Sequence, residues 1–585
     1  MTAMRFGLLP LVLCCAGRAL VAQDTAIVIH PESSAVRLER RELPRQVAEE
    51  AIAFYNAATT ARLAGPTWVP AGTTWRGDVA IRNGPVVLAG RLEGSLLVIN
   101  GDAILADSAA ITGDLFVVGG TATVPGTALV SGTRREYPEQ LGYRLTVEGI
   151  EYAPNLRGRL RNLGVQHTWA TADSRSSLTI ASGGTFNRVE GLPIVFGPLF
   201  DWRVRPRARF RLDALGVLRS AGNLSDSRSD LGYMVRTELR SGETRGVGIG
   251  FRAYDVVSPV EDWGLHAGEV GWEAFLFHRD YRDYFLNKGV SAHLFVQPER
   301  RLTLALELRR DWHSTVGDRD PWTVFRNERP WRPNPPIDDG HYVTVAGSAT
   351  LDTRNDARDP TSGWYVRGTL ESSGSRDVTP QPGVPAAVRD PIPTDGSYRY
   401  TRLFLDARRY ARVSPSGRLN LRLVAGGWLA GDPLPLQRRL SIGGPEPMAG
   451  HGFRYVGCNL AFTAAAFAGS GVAACDRVLA LQVEYRGHLS LNWSYNPSRA
   501  GDPARASITQ LFIEGLDLVV FANAGQAWLV GAAPGRVPSG EVPPLDSWVA
   551  DLGMGIDWGG FGVYVAKAVT VGQRVRVSVR LDHRF

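Results

Sequence analysis

From about Leu141 to Phe585 the chain is a procession of segments, each roughly 9 to 12 residues long, in which apolar and polar side chains alternate. A period of two puts one kind of side chain on each face of a strand, so the fold class is all-β. In Arg301–Arg309 the leucines at 302, 304, 306 and 308 share a face opposite Arg301, Thr303, Glu307 and Arg309. In Arg418–Ala425, Leu419, Leu421 and Leu423 oppose Arg418, Asn420 and Arg422. Arg203, Arg205, Arg207, Arg209 and Arg211 read as a five-rung ladder against Val204, Pro206, Ala208, Phe210 and Leu212, although Pro206 would remove a ladder donor. Alternation alone fits two architectures. A soluble sandwich turns the leucines inward, and a membrane barrel turns them to lipid and lines a wet interior with the arginines.

Three features favour the barrel. No uncharged apolar run reaches the ~18 residues that a spanning helix needs. Met1–Ala22 has a charge at Arg5, an apolar stretch from Phe6 to Cys15 and small residues before Gln23, the layout of an export signal. Cleavage falls after Ala22 or Ala19; Leu13 before Cys14 and Cys15 is too large for a good lipoprotein box. The last residues alternate Val575, Val577, Val579, Leu581 and Phe585 with Arg574, Arg576, Ser578, Arg580 and Arg584, so Phe585 is expected in a last wall strand. Export leaves Cys458 and Cys475, which flank small residues and are expected to form one disulfide in an oxidising compartment.

The expected division is a signal over 1–22, a linker with a helix over 23–64, a β-solenoid over 65–135 and a barrel over 140–585. Pro44–Leu63 carries Val47, Ala51, Phe54, Tyr55 and Ala58 at helical spacing. Gly77-Asp78-Val79, Gly94-Ser95-Leu96 and Gly113-Asp114-Leu115 then open similar units containing runs such as Leu96–Ile99 and Leu115–Val118. Stacked coils would bury Val79, Leu96, Val98, Leu115 and Val117 in one column, in no more than about four coils. This repeat resembles the polymer-forming, bactofilin-like β-helices.

The C-terminal part resembles the BamA/TamA-like outer-membrane assembly factors, the bacterial surface antigen superfamily. Asp352-Thr353-Arg354-Asn355-Asp356 followed by Pro360 through Gly363-Trp364 is similar to that family's mid-barrel hairpin, and Phe186–Leu192 to a segment of some branches. Gln437–Gly443-Gly444 resembles the entry to its lumen loop, and His451-Gly452-Phe453 the loop tip, with His451 in place of the tip arginine. Glu484 and Arg486 fall in the strand after the loop, and Asn523 replaces the aspartate that receives that arginine. The resemblance implies about sixteen strands, a terminal β-signal at Leu581 and Phe585, and a loop pinned by contact of His451 with Asn523, or by Arg454 on another acceptor. It implies insertion or translocation of proteins at the outer membrane, with outer-membrane lipid and a nascent outer-membrane or exported client as partners. The solenoid stands where POTRA domains are expected, in the periplasm, and would have its own partner there.

Two other functions follow from the same pattern: an anion-favouring channel lined by arginines, and an autotransporter, because a solenoid precedes a barrel. An enzyme is not expected. There is no HExxH, GxSxG or GxxxxGK[ST] motif, no cofactor is implied, and the adjacent pairs Glu49/Glu50 and Asp338/Asp339 diverge on a helix or strand. His278, Asp280 and Asp283 have metal-ligand chemistry but generic spacing, so no metal is expected. The net charge of +7 rests almost wholly on scattered arginines, with only Lys288 and Lys567 as lysines, and no basic block points to nucleic acid.

Overall fold

A computed structural model of the chain describes residues 43–585 apart from 138, 146–148, 153–163, 172, 184, 206, 222–229, 243–244, 300, 356–358, 415–416, 496–508 and 582. The export-signal reading and Asp356 lie outside the described residues.

The glycine-punctuated repeat folds into a three-sided parallel β-solenoid. One side stacks Ala61–Ala64, Val79–Arg82, Leu96–Ile99, Leu115–Val118 and Arg134–Tyr137, and two further sides have four strands each. Register is in phase, with Val79 opposite Leu96 and Leu96 opposite Leu115, so equivalent apolar side chains form a column. The first coil begins at Ala61, inside the stretch read as helix, because helix α1 ends at Asn56 (Arg45–Asn56). Leu96–Ile99 and Leu115–Val118 are buried on both faces. Their inward residues fill the coil, while Leu97, Ile99, Phe116 and Val118 are covered by Ala48, Ala51 and Tyr55 of α1. That explains why these runs are continuously apolar instead of alternating.

Corner glycines set the coil spacing. A Cβ at Gly101 would stand 2.0 Å from the Gly84 carbonyl oxygen of the coil below. Gly101→Val is therefore expected to pry two coils apart at a cost of about 1–3 kcal/mol. Limited proteolysis of the whole chain should then cut within 61–137 while the barrel stays resistant; unchanged cutting there would refute the packing argument.

Tyr143–Leu145 and Ile150–Tyr152 pair as a separate two-stranded antiparallel ribbon, so the wall starts at Gly164 and not at about residue 140; the strands that follow form one seventeen-stranded sheet in which every neighbour is antiparallel and consecutive in sequence. We number them β1 (Gly164–Ala170), β2 (Ser174–Ser182), β3 (Pro193–Arg205), β4 (Ala208–Arg219), β5 (Leu231–Ser241), β6 (Gly246–Pro259), β7 (Tyr284–Glu299), β8 (Leu302–Ser314), β9 (Gly340–Asp352), β10 (Gly363–Ser375), β11 (Arg399–Ser414), β12 (Gly417–Gly431), β13 (Arg477–Tyr495), β14 (Thr509–Trp528), β15 (Val549–Trp558), β16 (Phe561–Ala568) and β17 (Arg576–Arg580). Helix α2 (Ala267–Phe277) lies between β6 and β7. The turns after β1, β3, β5, β7, β11 and β15 are only two to four residues long, whereas several connections at the other end of the wall are far longer, including 260–283, 315–339 and 432–476.

The sheet is polar inside and apolar outside. In β8, Leu306 and Leu308 are each 53% exposed, whereas Glu307 and Arg309 are each 4% exposed. Val577 and Val579 likewise face out while Arg580 is buried. A soluble sandwich would reverse both faces, so the sandwich reading fails and the sheet is a transmembrane barrel wall.

Three further expectations need correction. The wall has seventeen strands, where about sixteen were expected. The arginine ladder is divided between two strands: β3 ends at Arg205, β4 starts at Ala208, and Arg203 pairs in register with Arg209. Pro206 lies outside the described residues. Lastly, β17 stops at Arg580, so Phe585 is not in the last strand. Arg584 turns inward instead, its guanidinium 3.8 Å from the Phe521 ring centroid, and Phe585 is buried beside it in sequence.

Candidate functional site

The connection 432–476 between β12 and β13 is the largest element of the interior. It is rich in small residues that let it fold back on itself: Ile442 and Val456 exchange backbone hydrogen bonds, and Cys458 is disulfide-bonded to Cys475. Gly443 has φ +127°, and a Cβ there would meet the Tyr455 nitrogen at 2.5 Å; Gly444 also has positive φ.

Arg454, at φ +48°, holds one side of the loop tip. Its guanidinium donates to Glu261 at 3.1 Å and to Asp283. Asp283 also takes Arg188 at 2.8 Å and Arg332 at 2.7 Å. Burial opposes ionisation of Asp283, but Arg332, Arg454 and Arg188 outweigh it and hold the carboxyl below the ordinary carboxylate range. Burial pushes the Glu261 carboxyl up, with Arg454 opposing. Glu261 further accepts from the Ser441 backbone and hydroxyl at 2.8 and 2.9 Å. Phe453 packs on Tyr281 and lies under the Arg332 guanidinium, 4.8 Å from its ring centroid. Arg188 comes from the Phe186–Leu192 segment, so that motif meets the loop tip at one carboxylate.

On the other side, His451 and Asn523 do not bond to each other. Both reach Asp551 of β15, which is opposite Asn523 in register. Asn523 donates to one carboxylate oxygen at 2.6 Å, and His451 Nδ1 lies 3.4 Å from the other. Gly450 N–H donates to that second oxygen at 2.9 Å, and Gly452 N–H to Gln573 at 3.2 Å. The expectation that both charges disappear at this contact is thus corrected: the carboxylate stands one strand over, at Asp551. Asp551→Asn keeps the shape and removes the charge. It should weaken the tip contact by about 1.5–3 kcal/mol, the range for hydrogen bonds to charged groups. Faster protease nicking within 445–475 would register it; wild-type rates would argue against a loop held by this carboxylate.

Between loop and seam lies a network of buried charge. Arg580 of β17 makes a two-pronged contact with Glu269 of α2, at 2.7 and 3.0 Å, and a third with Glu446 of the loop at 2.9 Å. The Leu581 N–H also donates to Glu269 at 2.9 Å, although its side chain faces out. Glu484 accepts from Arg486 and lies 3.3 Å from Arg584, while Arg486 also approaches Asp557 at 3.2 Å. Glu446 is held below the ordinary range: burial works against its charge, and Arg584, Arg580 and Arg422 override burial. The last strand is thereby tied to the interior as well as to β16.

The hairpin motif at the solenoid end is built around Asn355, whose Oδ1 accepts from the Thr361 and Ser362 backbone at 3.0 and 3.1 Å. Arg354 pairs with Asp352 at 2.7 Å and lies over the Tyr365 ring; Gly363 has φ +107°, and Trp364 faces out. This hairpin meets the solenoid. Asp102 accepts from Thr361 Oγ1 at 2.9 Å and Asn355 Nδ2 at 3.4 Å, and Arg412 of β11 lies 3.0 Å away.

The metal reading of His278, Asp280 and Asp283 gains no geometry. His278 stacks on Trp331 at 3.7 Å, and the two aspartates face Arg188. Among the described residues no three His, Cys, Asp or Glu side chains converge as a metal site.

The model of the Omp85 superfamily domain matches residues 269–560. Among solved structures the chain is similar to BamA from Haemophilus ducreyi lacking POTRA domains 1–3, at 9% identity over 71% of this chain and 74% of that one, with a TM-score of 0.39. It is also similar to CdiB from Acinetobacter baumannii, at 9% identity over 75% and 70%, with a TM-score of 0.30. A 47-residue stretch is 36% identical to the anti-sigma-W factor RsiW of Bacillus subtilis (strain 168); it is 8% of this chain and spans 23% of that relative's length.

Proposed function

Because residues 269–560 make this chain a carrier of the Omp85 superfamily domain, we propose that it inserts or translocates other proteins at the outer membrane. The observation that carries this reading is the seam. β17 is five residues long, pairs with β16 alone among the described residues, and is held from inside by Glu269 and Glu446. A wall whose terminal strand depends on side-chain ion pairs for part of its hold can part there and present unpaired backbone groups to an incoming strand. No residue in this mechanism makes or breaks a covalent bond. The lumen loop, tied to both walls through Asp283, Glu261 and Asp551, would brace the closed state, and the solenoid would face the periplasm.

The channel reading draws no support from the interior charges. Arg309, Arg422, Arg438, Arg486, Arg580 and Arg584 all lie against carboxylates, so none of these six offers a permeating anion an unpartnered positive charge. Depletion is the test. It should lower the folded level of other outer-membrane proteins while transcripts stay constant. Unchanged levels together with anion-selective conductance in planar bilayers would overturn the proposal and leave the channel.

A further inference from the structure

In a sheet whose neighbours all run antiparallel, an odd number of strands leaves the first and last pointing the same way. β1 and β17 therefore cannot complete an antiparallel seam, and no pairing joins them among the described residues. β2 and β17 run in opposite directions, so the sixteen strands β2 to β17 can close antiparallel. The strand that breaks this parity is β1, Gly164–Ala170, whose seven residues pair, among the described residues, with β2 alone, from Gly164 opposite Ala181 to Ala170 opposite Arg175.

β1 has the chemistry of a wall strand. Val165 and Trp169 are 60% and 55% exposed and extend the outward apolar row of Ile180 and Leu178 on β2. Gln166 points the other way and donates to Ser177, a buried residue of β2. Residues 171–173 tether β1 to β2, which gives it an effective concentration on the order of millimolar over any free competitor.

We propose that Gly164–Ala170 is a built-in occupant of a strand-receiving edge on β2. It guards that edge in the resting barrel and yields it to an incoming antiparallel strand with the same alternation of apolar and polar side chains. The identity of the incoming strand as a protein client rests on the function proposed above; the occupancy of the edge does not. Departure of β1 would leave a sixteen-stranded wall with a closable seam, so the two arrangements differ by one strand.

The test uses the full chain in detergent and a synthetic peptide of residues 164–170 carrying T168C, whose register partner is Ser177. In the chain itself, T168C/S177C should form an intramolecular disulfide nearly to completion. S177C alone should capture the peptide slowly, and adding V165P and H167P, which remove two of the N–H groups that β1 turns toward β2 (Thr171 N–H donates to the Ser174 carbonyl, so the bonded positions of β1 are 169, 167 and 165), should raise capture about tenfold as the millimolar advantage is lost. A scrambled peptide should not be captured. Failure of T168C/S177C to cross-link in a barrel that still shows heat-modifiable gel mobility overturns the occupancy. Capture that does not change when β1 is broken, in a barrel still folded, overturns the guarding role. The capture is read on purified protein, so a barrel that captures the peptide yet leaves outer-membrane protein levels unchanged on depletion overturns the proposed function and leaves the receiving edge standing.

Discussion

Arg580→Leu is expected to cost the folded barrel roughly 3–5 kcal/mol, the range for breaking a buried ion pair from one side. The guanidinium serves Glu269 through two hydrogen bonds and Glu446 through a third. Glu446 retains Arg422 at 3.6 Å and Arg584 at 3.8 Å, so most of the loss falls on Glu269. Two companion variants separate charge from geometry. Arg580→Lys keeps the charge without the fork and should fall between wild type and leucine. Glu269→Gln added to Arg580→Leu should recover part of the loss, because it removes the carboxylate that was left behind. The midpoint of thermal unfolding, read as the loss of the compact band on unheated gels, measures all three. A leucine variant within about 1 kcal/mol of wild type would place Arg580 with exposed pairs, which contribute that little.

Asp283→Asn is expected to have a comparable effect at the opposite side of the loop. Three buried or half-buried guanidinium groups converge on this one carboxylate, and an amide keeps its shape while removing the charge that holds them. A loss of about 3–5 kcal/mol follows by the same reasoning, with the loop tip freed first. The sign of the pH effect is fixed by the depressed acidity. A carboxyl whose folded value lies below its unfolded value contributes stability that is fully present above the unfolded value and is lost as pH falls through the folded one. Nicking of the loop in the wild-type protein should therefore be flat from neutral pH down to about 4, the unfolded carboxylate value, and rise only in stronger acid. The asparagine variant should be nicked at neutral pH as wild type is in acid. Rising wild-type nicking between pH 7 and 5 would shift the anchoring role from Asp283 to Glu261, whose carboxyl burial pushes up.

The wall was legible in the sequence because lipid and water enforce a period of two wherever a strand separates them. Leu302 through Leu308 could be assigned to one face without any structure. What the pattern withheld was which face is inside, since a sandwich and a barrel share it, and only the burial of Glu307 and Arg309 decides. The solenoid was legible for a related reason: each coil repeats the same corner, and Gly84, Gly101 and Gly120 recur where no Cβ fits. The ion pairs were not legible. Arg580 and Glu269 are 311 residues apart and Arg454 and Asp283 171 apart, and neither residue of either pair stands in a local pattern that names its partner. Asp551 shows the same limit on a smaller scale, because a carboxylate expected at position 523 had moved to the neighbouring strand in register with it. Phe585 was misplaced because alternation continues through 581–585 while the backbone leaves the sheet to bring Arg584 onto Phe521.

The place where Asp102 meets the rim has a mechanical meaning. Its carboxylate bridges the β9–β10 hairpin, through Asn355 and Thr361, and the neighbouring β11, through Arg412. Counting around a ring of seventeen, β9 and β10 lie halfway from the edge at β1 and β17, so the solenoid is moored at the point of the circumference farthest from the seam. If the wall opens like a clasp, that diameter is where the hinge falls and where the rim moves least. The four coils would then stay still while the edges swing, and a force applied to them would act as torque about the hinge.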